Sequence, residues 1–281
     1  MNRVFQQLLQ TLAAGEDAVL VSIESSSGST PRGPGACMAV TAKGRVAGTI
    51  GGGAVEHRGE RIALEVLQSG QSREETFLLR PAQARDLGMI CGGEVQVSFR
   101  YLAGGSGSDA AWVRQAQKRR LPPGRVYIFG GGHVARALVP ALTAVEFRCV
   151  VLEDRAEFCQ PELFPDAEEL LLIDNARVTD FVTLTEEDWV VIMTRGHEAD
   201  LLVQSQVMGL PVRYIGVIGS QRKTAAVTAK LREMGFSDED FRKVWAPIGL
   251  PIRSETPAEI AVSVTAQMIL ERAGGLVKEA P

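Results

Sequence analysis

The chain has 281 residues, of which 45% are hydrophobic and 23% charged, a composition typical of an ordinary globular protein that is long enough for two domains. Its net charge of −4 argues against a nucleic-acid partner, because proteins that bind nucleic acid carry a basic face. No apolar run approaches the roughly 18 residues that cross a bilayer and the four cysteines contain no C-x-x-C pair, so we expect a cytoplasmic protein with reduced thiols and no membrane partner.

The first hundred residues predict an α/β domain. Apolar and polar residues alternate at helical spacing near 3–14, which predicts a helix rather than a signal peptide. Strands are expected in "AVLVSIES" and, after the loop "SSGSTPRGPG", in "ACMAVTAKGRVAGTI", where a Lys-Gly turn joins two strands. A helix after Gly53 and strands near 75–80 and 94–101 complete this half.

A glycine- and serine-rich segment, "AGGSGSD" at 103–109, has the composition of a flexible linker. We therefore expect an N-terminal domain at 1–102, a linker and connecting helix at 103–124, and a C-terminal domain at 125–281. The one dense basic run, 118–120, precedes "LPPG" and is interpreted as part of a solvated linker.

The second half has a regular alternation of strands and helices. The apolar strands "RVYIF", "RCVVLED", "WVVIMT" and "VRYIGVIG" alternate with amphipathic helices near 132–144, 198–208 and 221–234. Thr256 is a plausible cap for a last helix that has Pro257 at its first position. Nearly continuous apolar strands separated by helices indicate a parallel sheet covered on both faces, as in Rossmann-like folds.

The segment "YIFGGGHVARAL" runs from a strand through three glycines into a helix, as in dinucleotide-binding proteins. The residues that match G-x-G-x-x-G/A are Gly130, Gly131, Gly132, His133, Val134 and Ala135. Such a turn lets backbone approach a phosphate, which the helix N-terminus then attracts. Asp154, or Glu153 beside it, follows at the distance where an acid meets a ribose hydroxyl. The alternative is a turn that serves packing alone.

A second junction of strand and helix occurs in "VIGSQRKT". Gly219 and Ser220 begin the helix, and Arg222 and Lys223 stand in its first turn. Positive side chains there oppose the helix dipole unless an anion lies nearby. Two exposed cations would cost little, so the pattern leaves both interpretations open.

Each of the three histidines adjoins a glycine motif: His57, His133 and His197. In "TRGHEAD", the strand "DWVVIM" places His197 and Asp200 at the carboxyl end of a parallel strand, where ligands bind in open α/β sheets. Both are candidate catalytic residues. No second histidine is spaced to complete a zinc site.

Cys91 differs from the other cysteines because "MICGGEV" places it before two glycines, whose N–H groups can lower the pKa of a thiol. It is a candidate nucleophile or soft-metal ligand, or else a tight-turn cysteine without chemistry. The others are interpreted as core or loop thiols: Cys37, Cys149 and Cys159.

Together these segments resemble the XdhC/CoxI family of accessory proteins, which mature xanthine-dehydrogenase-type molybdenum enzymes. The matching stretches in the first half are "GSTPRGPGACMAV", "GRVAGTIGGGAVEHRGERIAL" and "LGMICGGEVQV". In the second half they are "YIFGGGHVARALVPAL", "VVLEDRAEF", "MTRGHEADLLV", "YIGVIGSQRKT" and "APIGLPIRSETPAEIAVSVTAQMI". They follow the expected order over nearly the whole chain.

The resemblance implies an α/β fold with a family-specific N-terminal domain, a C-terminal Rossmann-like parallel sheet, and a homodimer. It implies that the chain binds the molybdenum cofactor, a pyranopterin, and assists exchange of an oxo for a sulfido ligand, with a cysteine desulfurase as the candidate sulfur source. It also implies delivery to an apo molybdenum hydroxylase. An accessory protein is thus favoured over an enzyme with its own turnover.

On this interpretation the glycine turn of the second half holds the phosphate of the pterin, or of a nucleotide attached to it, while the N-terminal loops face its dithiolene and metal. The N-terminal candidates are Gly51, Gly52, Gly53, Glu56, Gly92 and Gly93, with Cys91 as candidate thiolate and molybdenum contact. Two alternatives remain: an NAD(P)-dependent oxidoreductase, and a nucleotide-sensing module without chemistry.

The sequence departs from the family pattern at two places. Many members have G-G-G-C-[LV]-E where this chain has "GGGAVE", so Ala54 replaces a candidate sulfur-handling cysteine. The commoner P-I-G-L-D-I-G-A-E-T-P differs here at Pro251, Arg253 and Ser254. These departures bear on the sulfur step and on the identity of the client enzyme.

Overall fold

Two separate β-sheets organise the chain. The computed structural model describes residues 2–79, 93–120 and 122–274. The sheets belong to two units, Met1–Leu121 and Pro122–Pro281, each with its own core. Within the described residues, no helix has both the length and the apolar character needed to cross a membrane.

The first unit is built on a five-stranded antiparallel sheet in the order β3-β2-β1-β5-β4. Its strands are β1 Ala18–Gly28, β2 Cys37–Thr41, β3 Gly44–Gly48, β4 Arg73–Leu79 and β5 Gly93–Leu102. Its described helices are α1 Asn2–Ala13, α2 Gly53–Ser69 and α3 Gly107–Arg120. The predicted N-terminal helix, the strand pair with its Lys-Gly turn and the helix after Gly53 are confirmed.

Helices cover both faces of this sheet, because side chains alternate along each strand. On one face Val21 of β1 and Val97 of β5 pack with Ile62 of α2. On the other face Leu20 packs with α1 and α3. The same face continues with polar side chains of β1, beginning with Ser22.

The basic run at 118–120 is not a solvated linker, so that interpretation is wrong. It forms the last turn of α3, where cations meet the negative end of the helix dipole. Val113 anchors this helix in the same core as Leu8 of α1. The segment before it holds tight glycine turns, such as Gly105 at φ +72°.

The second unit contains a six-stranded parallel sheet in the order β11-β10-β9-β6-β7-β8. Its strands are β6 Val126–Phe129, β7 Cys149–Glu153, β8 Glu169–Leu172, β9 Trp189–Ile192, β10 Tyr214–Val217 and β11 Val244–Trp245. The strand order is that of the Rossmann fold, with its switch point between β6 and β9. The predicted parallel sheet is therefore confirmed.

Helices flank both faces of this sheet. They are α4 His133–Ala144, α5 Val178–Phe181, α6 His197–Val207, α7 Gln221–Glu233, α8 Asp238–Phe241 and α9 Pro257–Arg272. Helices α4 and α9 pack on one face, and α6 and α7 on the other. The predicted cap of α9 is confirmed, since the Thr256 hydroxyl accepts a hydrogen bond from Glu259 N–H and the Glu259 carboxylate accepts one from Thr256 N–H.

Candidate functional site

The glycine turn after β6 and the loop after β9 touch each other at the switch point. A Cβ atom built at Gly130 would lie 2.4 Å from Met193 O and 3.0 Å from Thr194 Cα. The ends of β7 and β10 adjoin these strands on either side. One edge of the sheet thus collects these predicted site residues: Gly130, Gly131, Gly132, His133, Asp154, His197, Asp200, Gly219, Ser220 and Arg222.

The three glycines of the fingerprint have different physical reasons. Gly130 has φ +107° and no room for a side chain, so the fold requires glycine there. A Cβ at Gly131 would lie 3.1 Å from both Glu153 Oε2 and Phe158 O, which is tight. Gly132 has φ −72°, an ordinary value, and a Cβ there would meet nothing within 4 Å. Packing therefore does not explain Gly132.

Glu153 points inward and holds the glycine turn. Its Oε2 accepts a hydrogen bond of 2.6 Å from Gly131 N–H, and Arg155 Nε donates to its Oε1 at 2.8 Å. Burial alone raises the pKa of Glu153, but the hydrogen bonds outweigh burial and lower the pKa to about 2. Glu153 is 1% exposed and ionised, so it is a structural anion rather than a group that meets a ligand.

Asp154 remains the acid that solvent can reach at the end of β7. Partial burial, followed by the neighbouring Glu153 carboxylate, raises the pKa of Asp154. Arg155 Nε lies 3.6 Å from Asp154 Oδ1, so one guanidinium serves both carboxylates. Of the two acids that the sequence left open for a ribose hydroxyl, only Asp154 faces outward.

Helix α6 begins in the same way as α4. Gly196 is its N-cap with extended φ −156°, no side chain caps the helix, and a Cβ at Gly196 would meet nothing within 4 Å. His197 follows at the first helical position and is exposed, as is His133 after Gly132. Two helix N-termini thus open onto unfilled space beside the switch point. The repeated Gly-His pair was visible in the sequence, although we assigned Gly196 no role there.

Asp200, a candidate catalytic residue, is 0% exposed. Its Oδ1 accepts hydrogen bonds from the Thr194 hydroxyl at 2.6 Å and from Thr194 N–H at 3.1 Å. Its Oδ2 is 2.5 Å from Lys223 Nζ. In the described part of the chain these groups, and not His197, bind Asp200. The carboxylate braces the loop after β9 against helix α7.

The junction after β10 supplies that lysine. Ser220 caps α7, accepting a hydrogen bond from Lys223 N–H at 3.3 Å. Gly219 has φ +158°, an extended backbone. Arg222 is exposed in the first turn. Lys223 in the same turn therefore has an internal anion as its partner, which was one of the two interpretations left open.

The second glycine triplet, in the first unit, has left-handed or related backbone at Gly51, Gly52 and Gly53, with φ values of +133°, +74° and +57°. Glu56 closes this turn: its Oε2 accepts hydrogen bonds from Ile50 N–H at 3.2 Å and Gly52 N–H at 3.3 Å. Its Oε1 also pairs with Arg45 at 3.0 Å. Glu56 is thus a buried brace, like Glu153 and Asp200.

Three loops of the first unit converge at one end of its sheet. A Cβ at Gly51 would lie 2.8 Å from Pro31 Cβ, in the loop "GSTPRGPG". A Cβ at Gly93 would lie 2.5 Å from Ser27 O and 3.0 Å from Thr30 Cγ2, at the start of that loop. Cys91 and Gly92 lie outside the described residues. The structure thus joins the "GSTPRGPG" and "GGGAVE" loops with the first residue of β5.

The described cysteines behave as the sequence predicts. Burial raises the pKa of Cys149 to about 12, and burial also raises the pKa of Cys37. Both are core residues, and Cys159 lies half-buried in a loop. Among residues 2–79, 93–120 and 122–274, no group of three or more His, Cys, Asp or Glu side chains is arranged to hold a metal ion.

Fold and site define a two-unit α/β protein whose second unit is a Rossmann domain with two glycine-capped helices at its switch point. The chain belongs to the XdhC and CoxI family. The family's Rossmann domain matches residues 126–268, and the XdhC and CoxI family model matches residues 11–80. The predicted family is thus confirmed.

Three curated relatives show how far the similarity extends. The uncharacterised protein YqeB of Escherichia coli is 31% identical over 251 residues, covering 89% of this chain and 42% of YqeB. A probable xanthine dehydrogenase component of Bacillus subtilis is 26% identical over 55% of this chain and 45% of that protein. This chain therefore spans less than half the length of either. The molybdenum cofactor insertion chaperone PaoD of Escherichia coli is 25% identical over 92% of this chain and 85% of PaoD.

A solved structure agrees with the fold. The crystal structure of a xanthine dehydrogenase from Bacillus halodurans is similar with a TM-score of 0.79, covering 99% of this chain and 98% of that one. The two are 22% identical, so the likeness bears on the fold alone. It supports the α/β architecture of both units.

Proposed function

We propose that this chain binds the molybdenum cofactor and assists its maturation and insertion into a xanthine-dehydrogenase-type molybdenum hydroxylase. One observation carries the binding step: Gly132 and Gly196 cap neighbouring helices without structural need for glycine, and both face open space. Family membership and the similarity to PaoD, which is named as a molybdenum cofactor insertion chaperone, supply the identity of the ligand.

The residues at the switch point fit a phosphate-bearing ligand. The N–H groups in the first turn of a helix have no partner within the helix, and the dipole makes that end positive. At α4 and α6 no side chain uses these groups as a cap. Exposed His133 and His197 add imidazole donors beside the same two ends. A phosphate placed there meets backbone donors from both helices.

Glu153 and Asp200 support this site from below. Each is buried, and each accepts a backbone N–H from the loop that leads to the helix, Gly131 in one case and Thr194 in the other. Their negative charges are neutralised by Arg155 and Lys223. The loops are thus held in place without a ligand, which lowers the entropic cost of binding one.

The first unit provides the proposed end for the metal and dithiolene. We assign that role to the convergent loops around Gly51 and Gly93, with Cys91, two residues before Gly93, as the thiolate that contacts molybdenum or its sulfido ligand. When bound, the cofactor supplies the molybdenum centre on which a client hydroxylase depends. Ala54 offers no thiol in this region, so the sulfur comes from a partner such as a cysteine desulfurase. A homodimer and an apo hydroxylase client complete the proposal.

Solvent-exposed Asp154 favours one alternative, an NAD(P)-binding oxidoreductase or nucleotide sensor, because an acid at the end of this strand binds ribose hydroxyls in dinucleotide enzymes. Asp154→Asn separates the two functions. It should weaken NAD or a nucleotide-extended pterin by about tenfold, the loss of one charged hydrogen bond, and leave the unextended pterin cofactor unchanged. Equal losses for both ligands would contradict our assignment of Asp154.

Substitution of Gly132 by Val tests the binding step. Its backbone conformation suits any residue, so the fold should be preserved, while the new side chain fills the space in front of α4. We expect affinity for the molybdenum cofactor to fall by roughly 2 kcal/mol, about 30-fold, or more. The matched control is Gly209→Val: Gly209 also has open space around it, but it follows the far end of α6.

Titration calorimetry on the folded variants measures the difference. Unchanged affinity in Gly132→Val, or an equal loss in Gly209→Val, would contradict the assignment of the switch-point site and leave the fingerprint as a packing feature.

A further inference from the structure

The first unit contains a groove of about 650 Å³ that lies apart from the glycine loops. Its floor is the polar part of the sheet face formed by β1, β4 and β5, and its wall is helix α3. Small-molecule sites commonly have volumes of about 300–1,000 Å³. The groove is therefore large enough for a metabolite of the size of a sugar phosphate or mononucleotide.

The wall of the groove is positively charged. The last turn of α3 contributes Arg119 and Arg120, and β5 contributes Arg100. In the part of the chain that the structure describes, none of these three guanidinium groups pairs with a carboxylate. Arg120 donates to Gly35 O at 3.1 Å, which fixes its position.

Arg100 is held in place although no anion binds it. Its guanidinium carbon lies 3.8 Å above the ring of Trp112, an arrangement of cation on aromatic face that stabilises the charge. Its Nε is buried and, within the described residues, has no hydrogen-bond partner. A buried donor without an acceptor costs free energy that a bound anion can recover.

The floor offers hydroxyl and carboxylate groups. Ser22 Oγ lies 3.1 Å from Ser98 Oγ, and the Ser98 hydroxyl donates to Glu24 Oε1 at 2.5 Å. No described cation forms an ion pair with Glu24, so its remaining lone pairs are open to donors. Gln96 lies on the same floor, and Glu74 is a second carboxylate at the edge of the groove. Carboxylates of this kind accept hydrogen bonds from sugar hydroxyls.

We propose that this groove is a second ligand site, which binds a phosphorylated sugar or nucleotide with its phosphate at Arg100 and Arg119 and its hydroxyls at Glu24. Arginine suits the phosphate because its planar donors match phosphate oxygens. The acidic floor disfavours a simple polyanion, so phosphate and hydroxyl groups are both needed. The site does not depend on the proposed cofactor function of the glycine loops.

Ribose 5-phosphate, ribose and inorganic phosphate are the probes that test this site by titration calorimetry on the full chain. We expect saturable binding of ribose 5-phosphate, at least about tenfold tighter than either ribose or phosphate alone, because each half supplies only part of the contacts. The fluorescence of Trp112 should change on binding, and this change should be absent in Trp112→Phe.

Arg119→Gln should weaken ribose 5-phosphate by about tenfold or more, since it removes a charged hydrogen bond to phosphate. The matched control is Lys118→Gln, which removes one positive charge from the adjacent exposed residue outside the groove, and should change affinity less than about twofold. Circular dichroism confirms that both variants are folded.

Three results would overturn the proposal. One is the absence of saturable binding by ribose 5-phosphate. Another is an equal loss of affinity in Lys118→Gln and Arg119→Gln, which would indicate general charge attraction. The third is binding that Gly132→Val abolishes and Arg119→Gln leaves intact, which would assign the probe to the second unit.

Discussion

Replacing Glu153 by Gln tests whether a buried carboxylate holds the fingerprint turn. The Oε1 atom of Glu153 accepts from Asp154 N–H, Arg155 N–H and Arg155 Nε, and its Oε2 accepts from Gly131 N–H and Arg155 Nη2. A carboxamide has one acceptor oxygen, so its NH₂ group must face one of these two sets of donors. We expect the substitution to lower the free energy of unfolding by about 3–5 kcal/mol at pH 7.

The size of this loss should depend on pH. The pKa of Glu153 is lowered from an ordinary 4.5 to about 2, so its ionised form stabilises the fold above pH 4.5, and this contribution is lost as the pH falls towards 2. At about 1.4 kcal/mol per pKa unit, roughly 2 kcal/mol should disappear between pH 7 and pH 3. Gln does not titrate, so the difference between the two proteins should shrink by that amount.

Urea unfolding at pH 7 and pH 3 measures both quantities. In a Trp112→Phe background, the remaining tryptophans, Trp189 and Trp245, report only on the second unit. Glu157→Gln is the matched control, because Glu157 is exposed in the loop that follows β7. A loss below about 1 kcal/mol at pH 7, or a loss that is the same at both pH values, would refute the role assigned to Glu153.

Three further outcomes are expected. Gly130→Ala should cost about 2 kcal/mol or more of unfolding free energy, because φ is +107° and a Cβ would lie 2.4 Å from Met193 O; an unchanged urea midpoint would contradict this. Lys223→Met should cost about 3–5 kcal/mol in urea unfolding at neutral pH, because it leaves a fully buried carboxylate without its cation, and a neutral effect would show that the pair is dispensable. Cys91→Ser should preserve stability but reduce cofactor retention, assayed by pterin fluorescence, whereas Cys149→Ser should cost about 1–3 kcal/mol and leave retention unchanged; identical effects would remove the distinction between them.

Local patterns were sufficient to predict the regular elements. The apolar strands and glycine turns of the second unit follow from periodicity and from the backbone freedom of glycine. Short elements with half-exposed residues escaped prediction: β8 Glu169–Leu172 is an edge strand, and α5 Val178–Phe181 is a single turn. Neither has enough residues for a periodic pattern to emerge.

Side-chain direction could not be predicted from the sequence. Glu153 and Asp154 are adjacent, and only the packing of β7 beside the glycine turn decides that the first is buried and the second exposed. Asp200 likewise follows a ligand-binding motif, but it is separated by 23 residues from the lysine that neutralises it. The basic end of α3 was misinterpreted because the Pro-Pro-Gly after it dominates the local pattern, whereas Val113 anchors the helix in a core made by distant residues.

The most direct test of the account is the cofactor content of protein purified without oxygen from cells that make molybdenum cofactor. Pterin is measured as its fluorescent oxidation product, form A, and molybdenum by mass spectrometry, on wild type, Gly132→Val and Gly209→Val. We predict roughly equimolar pterin and molybdenum on wild type and on Gly209→Val, and loss of both from Gly132→Val. Wild-type protein without either, or Gly132→Val that retains as much as wild type, would contradict the claim that the glycine-capped switch point binds the molybdenum cofactor.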